Sequence, residues 1–164
     1  MSVKQQSMPA HLSAQGARLI GHFEGFRPRL YDDAAGHCTI GYGHLVHLGA
    51  CNGSEPQEFK QGISQQEAER LLQEDAQKAA DAVRSNVHVS LTQQQFDALV
   101  SFVYNLGAGA FASSTLLRDL NAHNFAPLSG QLRDWTHAGG MVPPGLVARR
   151  NTESELFSTG RYAF

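Results

Sequence analysis

Between Thr92 and Gly107 lies a segment that is apolar nearly all round when wound as a helix. Phe96, Ala98, Leu99, Val100, Phe102, Val103 and Leu106 leave no wide polar face. Such a helix is stable only where other elements wrap it, so it belongs at the centre of a domain. Thr92-Gln-Gln-Gln95 reads as a capping box that opens it, and Gly107-Ala-Gly109 ends it. The remaining chain must supply the wrapping. With 164 residues there is enough for one domain. A chain of about 150 residues buries about 68–70% of its unfolded surface, so no disulfide or metal is required for stability. Hydrophobic residues at 41% and charged residues at 17% describe a globular chain.

Periodicity divides what flanks the central helix. Residues 1–10 form a polar tail. Ser13 then reads as an N-cap, Ala17, Leu19, Ile20 and Phe23 as a helical stripe, and Gly25 as its stop. Helical spacing vanishes over 26–60. There Thr39-Ile-Gly-Tyr-Gly43 alternates and Asn52-Gly53 signals a tight turn, which predicts a sheet of two or three strands. A second capping box, Ser64-Gln-Gln-Glu67, precedes a stripe of Ala68, Leu71, Leu72, Ala76, Ala79 and Val83. Short helices are expected over 113–122 and 127–135. Gly139-Gly140 and Pro143-Pro144 mark a loop, and a last helix runs from Leu146 to Thr159 with Gly160 as its stop. There are no internal repeats. The pattern predicts an α+β domain over 11–164. Its small β lobe spans about 27–60, its helical lobe 61–164 plus helix 12–24, and a cleft lies between them.

Thirteen Lys and Arg against fifteen Asp and Glu give a net charge of −2, which excludes a strongly basic nucleic-acid binder. No window reaches the roughly 18 apolar residues of a membrane-spanning helix. The first ten residues hold no apolar signal segment. The expectation is a chain made in the cytoplasm that reaches any outside target by another route. Cys38 and Cys51 either bridge or remain as two thiols. His37, Cys38, His44, His47 and Cys51 match no standard zinc spacing.

The densest run of chemistry-bearing residues is Glu24 to His44. Glu24 falls at the C-terminal end of the first helix, where the dipole disfavours a carboxylate and favours the protonated form a general acid needs. Asp33 falls in the turn leading into the sheet, more solvated and so ionised. Two carboxyls in unlike surroundings suit acid and base roles, although two ordinary surface carboxylates would read the same way. In an extended strand Thr39, Gly41 and Gly43 share one face, so a flat ligand could approach the backbone beside the Thr39 hydroxyl. In the last helix Arg149 and Glu153 share the apolar stripe with Leu146 and Leu156. Arg149 therefore needs a carboxylate, either Glu153 or Glu24.

The run from Glu24 to Gly43 resembles the catalytic segment of the phage-type (T4-like) lysozymes, glycoside hydrolases that include phage endolysins. Their pattern of Glu, eight residues, Asp or Cys, five residues, Thr is met by Glu24, Asp33 and Thr39. Ala98 to Gly107 is similar to that family's buried central helix, and Gly145 to Phe157 to its C-terminal helix. The resemblance implies a lysozyme-like fold and hydrolysis of the β-1,4 bond between N-acetylmuramic acid and N-acetylglucosamine. Glu24 would protonate the leaving oxygen, while Asp33 and Thr39 would position water for inversion, with the carboxyls ~6.5–9.5 Å apart. His44, Leu45, Tyr104 and Asn105 would contact substrate, and Arg149 would pair with Glu24. The resemblance further implies no cofactor and no metal, and a monomer acting on peptidoglycan strands in the periplasm, without nucleic acid or stable membrane insertion. A Cys38–Cys51 bridge would clip the β lobe there. Two other roles share this chemistry or nearly so, a secretion-delivered antibacterial lysozyme and a lytic transglycosylase. A non-catalytic wall-binding module is the alternative from another class.

Overall fold

The apolar segment forms α4 (Gln93–Leu106), and every residue from Phe96 to Val103 is buried, including Asp97 and Ser101. A computed structural model describes residues 8–137, 142 and 144–164 of the chain. The Thr92 hydroxyl accepts from the Gln95 amide at 3.1 Å, and the Gln95 side chain accepts from the Thr92 amide at 2.9 Å, completing the capping box. After Gly107 (φ 100°) the chain re-forms as α5 (Ala108–Ala112), a helix not expected from sequence. Its anchor is the fully buried Phe111. Next come α6 (Thr115–Asn121), α7 (Leu128–Asp134) and α8 (Pro144–Thr159). α8 packs on both α4 and α7, and Phe96, Leu99, Phe102, Leu120, Leu132 and Leu156 fill the space between helices. The Gly160 stop has φ 76°. Of the expected loop, Pro144 is the first residue of α8, while Gly139, Gly140 and Pro143 lie outside the described residues.

The chain divides into two compact units at boundaries other than 27–60. One comprises Met1–Leu19 with Ala76–Phe164, the other Ile20–Asp75. Two helices, α1 (Ala14–Glu24) and α3 (Gln65–Asn86), contribute to both. In the first unit the buried Asp97 gathers the Ser13 amide (3.1 Å), the Ser13 hydroxyl, Gln93 (2.9 Å) and the Tyr162 hydroxyl (2.6 Å). Four donors on one carboxylate offset the cost of burying its charge. The Ser13 hydroxyl also accepts from the Gly16 amide at 3.0 Å, so the expected cap of α1 is present. A Cβ on Gly16 would lie 2.7 Å from the Asp97 carboxyl carbon, which explains the glycine there.

The second unit holds β1 (Arg27–Asp32), β2 (Cys38–Gly41) and β3 (His44–His47) in one antiparallel sheet in chain order. It also holds α2 (Gln57–Lys60), another short helix without a sequence signal. Ile40, Phe59 and Leu71 form its core, with Leu30, Val46 and Ile63 against them. The Ser64 hydroxyl caps α3 through the Glu67 amide at 3.1 Å, while the Glu67 carboxylate pairs with Arg70. The run Thr39–Gly43 is not one extended strand. Gly41 and Gly43 have φ of 71° and 78°, so β2 ends at Gly41 and the chain turns. The shared glycine face expected for ligand approach is therefore absent. A Cβ on Gly41 would meet Ala68 at 3.2 Å, so that glycine serves packing. The Asn52-Gly53 turn follows β3 and does not join two strands.

Candidate active site

Glu24 is the last residue of α1 and half-buried. Gly25 ends the helix with φ 76°, its amide bonded to the Gly21 carbonyl at 2.9 Å. The Glu24 carboxyl lies over the backbone of Gly43. A Cβ at Gly43 would stand 3.1 Å from Oε2, tighter than side chains ordinarily pack. The space that sequence reasoning reserved for a ligand thus receives the Glu24 carboxyl.

Asp33 follows β1 and opens the turn into β2. Its Oδ1 accepts from the Ala35 and His37 amides, both at 2.9 Å. Its Oδ2 faces the buried Thr39 hydroxyl at 3.4 Å, and that hydroxyl also reaches the His37 carbonyl at 2.9 Å. The hydroxyl's single proton is shared between these two acceptors, the carbonyl being the nearer, so its hold on Asp33 is partial. One Asp33 oxygen is thus saturated by backbone and the other retains lone pairs. The His37 amide first, then the Ala35 amide and the Thr39 hydroxyl, hold Asp33 below the usual carboxylate range. Tyr31 stands opposite Thr39 across β1 and β2, with the Arg27 guanidinium 4.0 Å over its ring. Burial pushes the Tyr31 phenol up, Arg27 opposes, and Glu24 and Asp33 both add to the rise. Tyr31 carries no sequence signal of its own beyond lying in the Glu24–His44 run.

His44 and Leu45 open β3. His44 Nδ1 bonds the Asp75 carboxylate at 2.9 Å, and its ring meets Phe59 edge-on at 5.9 Å. Leu45 is 48% exposed. Behind the Asp33–Thr39 turn, Cys38 and Cys51 form a disulfide with their Cα atoms 4.7 Å apart. The Cys51 amide also bonds Asp32 at 2.8 Å. Beside the bridge, His47 Nε2 meets the buried Glu55 carboxylate at 2.6 Å and Nδ1 donates to the Leu48 carbonyl at 2.8 Å. The Leu48 carbonyl first, then Glu55, raise His47. His47, with the Asn52 and Gly53 amides, lowers Glu55 to about 2.

The remaining residues expected at the site belong to the first unit. Tyr104, half-buried, and Asn105, exposed, lie near the end of α4. The Asn105 side-chain oxygen accepts from Arg150. Arg149 contacts Glu153 at 3.3 Å and the Ser101 carbonyl at 3.1 Å, so the i+4 carboxylate is one of its partners. Arg150, which sequence reasoning missed, is only 1% exposed. It donates to Glu153 (2.5 Å) and to the Trp135 carbonyl (2.8 Å), with its guanidinium 4.8 Å over Phe102. Burial pulls its charged form down and Glu153 pulls it back.

A sequence model described as Phage lysozyme matches residues 21–153. The endolysin of Bacillus phage B103 is 45% identical over 152 residues, covering 92% of this chain and 55% of that protein. The chain spans about half the length of the first curated relatives it matches. Among solved structures, the endolysin from Escherichia coli O157:H7 phage FAHEc1 superposes with a TM-score of 0.80 at 32% identity, over 93% of this chain and 96% of that one. The muramidase domain of SpmX from Asticaccaulis excentricus gives 0.78 at 34% identity, over 92% and 99%.

Proposed function

The chain belongs to the phage lysozyme family, with that family's α+β fold and its lysozyme-type glycosidase domain, and on this premise we propose that it cleaves peptidoglycan as a muramidase in phage lysis. The bond cut is the β-1,4 link between N-acetylmuramic acid and N-acetylglucosamine. Glu24 gives its proton to the departing N-acetylglucosamine oxygen. A water on the opposite sugar face is held by the Thr39 hydroxyl and the open Oδ2 of Asp33, which takes the water's proton as its oxygen bonds to the anomeric carbon. Glu24 regains a proton from solvent and Asp33 returns one. Anomeric configuration inverts. His44 and Leu45, on the same unit as Glu24 and Asp33, contact the sugar chain in this reading. With a net charge of −2, wall recognition comes from such contacts and not from bulk attraction.

One observation carries the proposal. The β1–β2 turn leaves Asp33 with one backbone-saturated oxygen and one open oxygen beside Thr39, while the Glu24 carboxyl lies over the Gly43 backbone of the same sheet unit. Proton NMR of freshly cleaved glycan tests it. The first product is expected to carry a reducing muramic end as the α-anomer. A β-anomer or a 1,6-anhydro end overturns the mechanism.

A further inference from the structure

The corner behind the Asp33–Thr39 turn brings together more ligand chemistry than a disulfide uses. Cys38 Sγ, His47 Nε2 and a Glu55 carboxylate oxygen lie within 4.8 Å of one another, and the Cys51 sulfur is bonded to that of Cys38. His47 at the end of β3, then Cys51 and Glu55 in the loop after it, recur at every fourth residue, and Cys38 joins them from β2. We infer that the reduced chain binds a thiophilic divalent cation, Zn²⁺ by preference, through Cys38, Cys51, His47 and Glu55, and that the disulfide excludes it.

Donor type and orientation support this. Two thiolates, an imidazole and a carboxylate make a four-ligand set suited to tetrahedral Zn²⁺. Zn–ligand bonds of about 2.0–2.3 Å space the donors about 3.3–3.8 Å apart, so Cys38, His47 and Glu55 must contract by about 1–1.5 Å, and the Cys51 sulfur, released from Cys38, completes the set. The second layer is already in place. His47 Nδ1 donates to the Leu48 carbonyl, which aims Nε2 at the cluster. The Asn52 and Gly53 amides hold the Glu55 carboxylate at 3.1 and 3.0 Å. In the oxidised chain the same corner is closed by the S–S bond and by the proton that His47 shares with Glu55. The chemistry balances. A trialkylphosphine and one water reduce the bridge to two thiols and leave the phosphine oxide. Zn²⁺ then displaces two thiol protons and one imidazolium proton. The inference does not depend on the roles given to Glu24, Asp33 and Thr39, because its test reads metal and not turnover.

The experiment reduces the full chain with the phosphine, removes excess reagent, and titrates Zn²⁺ against a chromophoric chelator. Co²⁺ serves as a spectroscopic probe. The expected result is one ion per reduced chain and none on the oxidised chain, with thiolate-to-cobalt charge-transfer bands and intense tetrahedral visible bands. His47→Ala and Glu55→Gln, first verified as folded in their disulfide form, should each weaken Zn²⁺ binding at least tenfold. If reduction loosens the unit, Zn²⁺ should restore its circular dichroism. Binding unchanged in His47→Ala, which would be two-thiol capture only, overturns the inference. So does a reduced chain that takes up no ion or is not refolded by it.

Discussion

At the scale of single residues, the site depends on where protons and small side chains sit. Asp33 is held below its ordinary value, so it stabilises the fold at pH above the ordinary carboxylate range, and that contribution is lost as pH falls through its own lower midpoint. A carbon NMR titration should place that midpoint below the usual ~3.9. Thr39→Ala should move it upward, since one donor is lost. Tyr162 has the opposite sign. Burial and Asp97 raise its phenol to about 12, favouring the protonated form. Its contribution is complete below the ordinary tyrosine value of ~10 and is lost between there and about 12. Stability of Tyr162→Phe should therefore fall less steeply than wild type over that window. Gly43 and Gly25 separate strain from function. Both have positive φ, so alanine costs about 1–2 kcal/mol at either. At Gly43 the new Cβ also presses on the Glu24 carboxyl, whereas at Gly25 it meets nothing beyond its chain neighbours. Gly43→Ala should lose activity well beyond Gly25→Ala at similar melting temperature.

Among the elements, α4 and α8 mark the two ends of what sequence periodicity reveals. α4 was readable because burial and apolarity coincide along it, and both arms of its capping box were written in the residues. Asp33 was readable as a turn residue, but the turn was expected to lead into the sheet, whereas β1 already precedes it and Asp33 joins β1 to β2. α8 was readable as a helix with an Arg149–Glu153 pair, but not as the carrier of a second buried arginine. Its buried face carries Arg149, Arg150, Thr152, Glu153 and Ser154 beside Leu156 and Phe157, so no apolar stripe announces Arg150. α2 and α5, of four and five residues, are held by Phe59 and Phe111 and have too few positions for a period to register. The glycine-flanked turn was misread as strand because alternation says nothing of φ. The buried network on α8 makes a separate prediction. Glu153→Gln leaves two buried guanidiniums without their shared carboxylate and should cost about 3–5 kcal/mol in denaturant unfolding. Arg150→Met should cost less, because Glu153 keeps Arg149.

For the whole molecule, the covalent staple and the charge balance set the conditions of work. The Cys38–Cys51 bridge closes a loop of sequence separation 13, worth about 3 kcal/mol by the chain-entropy argument. Cys51→Ser should lose about that much, most visibly in the Ile20–Asp75 unit that contains the loop. Near-neutral charge predicts that wall clearing changes little between low and physiological salt, whereas bulk electrostatic steering would make it fall steeply. In the proposed reaction Glu24 is the proton donor in glycan hydrolysis. The most direct test of that role is turbidity clearing of outer-membrane-permeabilised bacteria by wild type and Glu24→Gln at matched circular dichroism and melting temperature. A loss of at least about 100-fold in the variant is the expected result, the scale of a removed general acid. Equal clearing by the two proteins would contradict it.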